Sequence, residues 1–66
     1  MRIILNGEPR ETTAGATVVE LLQELGTPGP EVAVEVNLEL IPRARHESYV
    51  LSENDQVEVV RLVGGG

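Results

Sequence analysis

Three successive glycines, Gly64-Gly65-Gly66, follow a run of branched aliphatic residues, and their residue types point to a reaction. Glycine has no side chain, so a tail of it lets another protein's backbone and active site come close. A glycine carboxylate is also the least hindered acyl group that a polypeptide presents. The expected chemistry is activation of the Gly66 carboxyl group against ATP, with AMP as the leaving group for a sulfur nucleophile. Residues 64–66 would thread a narrow channel of the activating enzyme. A frayed end or an expression remnant would look the same; what favours use is the strong strand signal directly before the glycines.

Other reactive constellations are not expected. His46 is the single histidine, has no Cys or His companion for a metal, and is read as a solvated loop residue. Ser48 and Ser52 have no base at an arguable position. The carboxylates are scattered, without an acid and base pair, and Gly15, Gly26 and Gly29 do not form a phosphate loop. The chain is therefore expected to be a protein co-substrate rather than an enzyme, with no bound cofactor and no metal.

Composition narrows the partners. Eleven acidic residues against five arginines give a formal charge of −6. A phosphate-backbone binder would carry a basic stripe instead, so no nucleic acid is expected. An acidic surface suits a basic docking patch, although charge of this size also serves solubility alone. Lysine is missing, so no side-chain amine can accept an acyl group. Cysteine is missing too, so the chain has no thiol to hold sulfur and no disulfide. Neither a secretory signal nor a bilayer-length apolar run is seen, and a cytoplasmic protein without a membrane partner is expected.

The elements that must position the tail are legible in outline. Residues 1–5 alternate as a strand, and Asn6-Gly7 is a strong hairpin signal. Residues 8–13 should return as a second strand, at an edge because Pro9 cannot donate a ladder bond. Thr17-Val18-Val19-Glu20 has the form of a capping box. Val18, Leu21, Leu22 and Leu25 form one apolar stripe, and Gly26 with Pro28 and Pro30 ends it, which predicts a helix over 18–25. Residues 32–36 read as a strand with Val32, Val34 and Val36 on one face, and 37–39 as a turn. Leu40-Ile41 begins a short extended piece, and 43–47 read as a surface loop. A short strand is expected at 48–51, a turn at 52–55 with Asn54 at positive φ, and the longest strand at 56–63.

Two strands before one helix and further strands after it predict an α+β fold of the β-grasp (ubiquitin-like) type. It should have a mixed four- to five-stranded sheet with one main helix on one face. The first and last strands should be neighbours. The domain spans 1–63, and 64–66 form the tail. In the last strand Val57 and Val59 should face the helix, leaving Glu58, Val60 and Leu62 outward. With Val63 they are candidates for partner docking, since an apolar patch next to the tail marks such a site; isolated apolar surface residues are also common.

At this point the chain resembles the sulfur carrier proteins of thiamine biosynthesis over its whole length. The resemblance rests on the opening strand with Asn6-Gly7, on Val36-Asn37 followed by Ile41-Pro42-Arg43, on Asp55 with Val57-Glu58-Val59-Val60, and on Val63-Gly64-Gly65-Gly66. It implies that an E1-like adenylyltransferase adenylates Gly66 with ATP. It also implies that a cysteine desulfurase or other persulfide donor supplies sulfur, and that thiazole synthase receives it from the Gly66 thiocarboxylate. Many relatives carry a small residue after Asn37, where this chain has Leu38, which is expected to be an exposed contact. Three alternatives stay open: a carrier for molybdopterin synthesis or tRNA thiolation, a ubiquitin-like modifier transferred to lysines, and an interaction module with an idle tail.

Overall fold

The computed structural model describes residues 1–27 and 31–62. Strand β1 (Arg2–Leu5) turns through Asn6 and Gly7 into β2 (Glu8–Glu11), with Leu5 opposite Glu8. Both turn residues have positive φ, 49° and 84°, as a two-residue hairpin loop with the sheet's twist requires. β2 lies at the sheet edge, where Pro9 leaves no ladder bond unmade. It ends at Glu11 rather than reaching residue 13. Thr12 is buried instead, and its hydroxyl donates to Glu24 of the helix at 2.6 Å.

Helix α1 (Val18–Leu25) has the expected bounds. Thr17 Oγ1 accepts from the Glu20 amide at 3.3 Å, and Glu20 Oε1 accepts from the Thr17 amide at 2.9 Å, a complete capping box. The Val18 and Val19 amides, which the helix itself leaves without partners, donate to the Tyr49 and His46 carbonyls at 3.0 and 2.9 Å. Gly26 closes the helix at φ 72°. No β-carbon is strained there, and its amide and that of Thr27 return to the carbonyls of the last turn.

Those cap bonds explain two corrections. The expected strand at 48–51 is not a strand: it makes one isolated bridge, Thr17 to Val50, because its carbonyl at Tyr49 serves the helix start rather than a sheet ladder. The segment 43–47 is not a plain loop but opens with a 3₁₀ turn at Arg43–Arg45. His46 is not solvated. It is buried beneath the sheet edge, with its Nε2 3.0 Å from the Ile41 carbonyl, and its own carbonyl receives the Val19 amide. A histidine in this position closes a local backbone network and is not available to solvent.

Strand β3 (Val32–Val36) pairs antiparallel with β4 (Glu39–Ile41) and with β5 (Gln56–Arg61), and β5 pairs parallel with β1. The sheet order is β2-β1-β5-β3-β4, so the first and last strands are neighbours as expected. The turn after β3 is shorter than expected, Asn37 and Leu38 only, with Glu39 already in β4. Leu62 follows the end of β5, and Val63 lies outside the described residues. Ile3, Val34, Val36, Ile41 and Val57 meet Val18, Leu21 and Leu22 in an aliphatic core on one face of the sheet. No helix among the described residues is long and apolar enough to cross a membrane.

Two asparagine side chains clamp the central strand from opposite sides. Asn6 Oδ1 accepts from the Val59 amide at 2.9 Å. Asn37 Oδ1 accepts from the Gln56 amide at 3.0 Å, and its Nδ2 donates to Asp55 Oδ1 at 3.0 Å. Asp55 in turn accepts the Ser52 amide through Oδ2 at 2.7 Å, and Asn54 sits at φ 66° within that turn. Each hairpin turn thus carries the residue that locks it to β5.

Two expectations follow. Replacing Asn37 with glycine keeps the left-handed backbone accessible but removes both side-chain bonds. Urea unfolding should show a loss of about 1–2 kcal/mol, with no change in the circular dichroism spectrum; an unaltered midpoint would mean that water takes over both bonds. The second concerns Glu20, whose carboxyl is held below its ordinary value, first by the Thr17 amide and then by the Thr17 hydroxyl. A depressed folded value stabilises above the ordinary glutamate range and is lost as pH falls through the folded value. Glu20→Gln should therefore melt below the parent at neutral pH, and the two melting curves should converge in acid.

Candidate functional site

The helix covers one face of the sheet, and none of the described residues forms a layer over the other. Along β5, the burial alternates as the sequence predicts: Val57 is buried, Val59 half-buried against the core, and Glu58, Val60 and Leu62 exposed. Val60 and Leu62 keep 53% and 55% of their surface accessible, which makes the end of β5 the apolar part of the outer face. The Leu62 amide donates to the Glu31 carbonyl at 2.6 Å, so the chain is still held in register one residue past the strand. Of the expected docking residues, Glu58, Val60 and Leu62 therefore share one open face; Val63 and the tail residues Gly64, Gly65 and Gly66 lie outside the described residues.

Register extends this face to residues that the last strand alone does not reveal. Ala33 lies opposite Val60, and Glu35 opposite Glu58. Leu40 lies opposite Glu35 on the other side. Leu40, Glu35 and Glu58 thus form a row across three strands, each step about 4.8 Å. The alternation of Val32, Val34 and Val36 already contained the signal for Ala33 and Glu35, since their neighbours all point into the core. Glu35 and Glu58 are like charges placed directly opposite, an arrangement that disfavours the free sheet. Neither forms an ion pair with another described residue; the amino terminus with Glu11, at 3.6 Å, is the salt bridge among them.

The exposure expected of Leu38 is observed, and its backbone adds a feature that the sequence did not suggest. Leu38 is 86% exposed and Leu40 is 62% exposed. Leu38 also sits at φ 69°, next to Asn37 at 52°. The corresponding position of the β1–β2 turn is Gly7, the residue that this geometry favours. A left-handed leucine costs roughly 1–2 kcal/mol, and nothing in its own fold repays the exposed side chain.

The described residues of the helix side form one shallower feature. A depression lined by Thr13, Ala16, Glu20, Gln23 and Glu24 is open, and its carboxylates already serve Thr17 and Thr12. Among the described residues, no group of three or more His, Asp or Glu side chains could hold a metal ion. Among the described residues, the outer face of β5 is therefore the surface open to another protein.

Similarity to known proteins agrees with this form. The ThiS family model matches residues 3–66. Over its full length the chain is 47% identical to a thiazole synthase of Magnetococcus marinus, and it spans 20% of that protein, as it does of a second thiazole synthase that it matches. It is 42% identical over 62 residues to the sulfur carrier protein ThiS of Thermus thermophilus, covering 94% of this chain and 95% of that one. The crystal structure of the thiamine biosynthesis protein ThiS from Geobacter metallireducens superposes with a TM-score of 0.85 at 30% identity, covering all of both chains. With the β-grasp sheet order, the single covering helix and a family match over nearly every residue, the chain belongs to the ThiS family.

Proposed function

We propose that this chain is a sulfur carrier of thiamine biosynthesis, with sulfur held as a thiocarboxylate on Gly66 and delivered to thiazole synthase. The observation that carries the reading is the outer face of β5, where Val60 and Leu62 stand exposed two to four residues before the glycines. Family membership supports it. The presence of a similar segment within two thiazole synthases supports that enzyme as the acceptor.

The chemistry balances with partners supplying the catalysis. In the active site of an E1-like adenylyltransferase, a Gly66 carboxylate oxygen attacks the α-phosphorus of ATP and pyrophosphate leaves. The terminal sulfur of a persulfide donor, such as a cysteine desulfurase, then attacks the acyl carbon and AMP leaves. A partner thiol attacks the donor's sulfur in that acyl disulfide; the S–S bond breaks, the thiocarboxylate is released, and donor and thiol remain joined as a disulfide. This chain has no cysteine, so its own contribution is the acyl group and the docking grip. Thin glycine residues at 64–66 let that group enter an enclosed site, and Glu58, Val60, Leu62 and Val63 hold the domain against the enzyme while it reacts.

Incubated with ATP, the adenylyltransferase and the persulfide donor of its own organism, the protein should gain the mass of sulfur in place of oxygen. Removal of Gly66 should abolish both that gain and ATP–pyrophosphate exchange while the circular dichroism spectrum stays the same. Exchange persisting in the truncated protein, or adducts joined to lysines of other proteins, would overturn the reading, the second in favour of a modifier. Val60→Asp and Leu62→Asp should each fold normally, since both side chains are outside the core, yet bind the adenylyltransferase or thiazole synthase at least about tenfold more weakly. Unchanged affinities in calorimetry would remove this face from the docking site.

A further inference from the structure

The cost built into Leu38 needs a return that the isolated fold does not supply. The two hairpins make an internal comparison. Both turn through two left-handed residues beginning with asparagine, but one continues with Gly7 and the other with Leu38. Leu38 stands almost fully in solvent, so its side chain contributes little to the core. The tip that carries it is nevertheless held firmly. The Asn37 amide donates to the Gln56 carbonyl at 2.7 Å, and the Asn37 side chain engages Asp55 and Gln56. A side chain presented on so fixed a base loses little freedom when a partner covers it.

Position adds the second observation. Val36, beside the tip, pairs with Val57 at the start of β5, whereas Val60 and Leu62 lie at its far end. From Val57 to Leu62 is roughly 17 Å. Between the two apolar ends stand Glu35 and Glu58, opposed and without a cationic partner among the described residues. A partner surface that spans the sheet would meet leucine, then paired carboxylate, then valine and leucine. A basic side chain lodged against both carboxylates would relieve their repulsion, so the charge pattern identifies the chemistry of the surface that fits. A second copy of this chain fits poorly, because it brings another net charge of −6.

We propose that Leu38 and Leu40 form a second docking anchor, remote from the tail, for a partner protein whose surface carries two apolar depressions separated by an arginine or lysine. The basic residue is received between Glu35 and Glu58, and the far depression receives the hairpin. This assignment rests on the carrier reading for which proteins to test, namely the adenylyltransferase and the thiazole synthase of the same organism.

The test uses the full chain with Leu38→Gly and Leu38→Asn, both of which suit the left-handed turn. Their thermal midpoints should equal or exceed that of the parent. Their affinity for at least one of the two enzymes should fall about tenfold or more by calorimetry. A Glu35→Gln, Glu58→Gln double variant should bind more weakly to the same enzyme and lose much of the salt dependence of binding. Parent-like affinity of Leu38→Gly for both enzymes would overturn the proposal. So would a parent protein that sediments as a dimer which Leu38→Gly dissociates. If the parent binds and gains sulfur while Leu38→Gly binds equally well, this inference alone falls. If the parent binds neither enzyme and gains no sulfur, the carrier reading falls with it.

Discussion

Everything in this molecule is organised around the hydrogen bonding of one central strand. β5 takes β1 on one side and β3 on the other, and both of its neighbours belong to hairpins that could otherwise drift apart. Backbone ladders alone do not cover it: the parallel contact with β1 spans only Ile4–Gln56 and Leu5–Val57. The Asn6 side chain extends that contact to Val59, and Asn37 fastens the other hairpin to Gln56 and Asp55. Since the turns themselves demand residues that tolerate positive φ, asparagine meets two requirements with one side chain. The course of β5 through the sheet follows from this pair of contacts.

The same economy governs the two faces. A short chain with 21 Val, Leu and Ile residues can complete one aliphatic layer between the sheet and the eight-residue helix. The described residues supply no second α-helix for the outer face. That face is left with a mixture that its own stability would not select: Val60, Leu62 and Leu40 exposed, and Glu35 opposed to Glu58. In a carrier, such a mixture is understandable as surface kept for others.

How much of this was legible depends on how local the determining contacts are. The helix was readable to the residue because Thr17, Glu20 and Gly26 set its ends within a few positions of sequence. Asn6-Gly7 announced its hairpin for the same reason, and the inward and outward parity of β5 followed from simple alternation. His46 was misread because its burial is set by the Ile41 carbonyl and by a helix that precedes it by a long stretch of chain. Residues 48–51 have a strand's composition, yet their backbone is claimed by the helix cap, a competition that no propensity expresses. Leu38 looked like part of a longer turn, since a leucine does not advertise a left-handed backbone. The opposition of Glu35 and Glu58 depends on register between strands far apart in sequence, which alternation within one strand cannot reveal.

The placement of β5 also has a bearing on biosynthesis. Of the described strands it is the last to be made, and it is the one that both hairpins require. Until residue 61 has cleared the ribosome, β1–β2 and β3–β4 are separate two-stranded ribbons, each with an open edge and only part of a core, and such ribbons are marginal on their own. Translation therefore delivers an unfinished chain whose folding is completed in a single late step, when the strand that leads to the glycines slides between two waiting edges. The outer face, which takes rows from β3, β4 and β5, is complete only after that step.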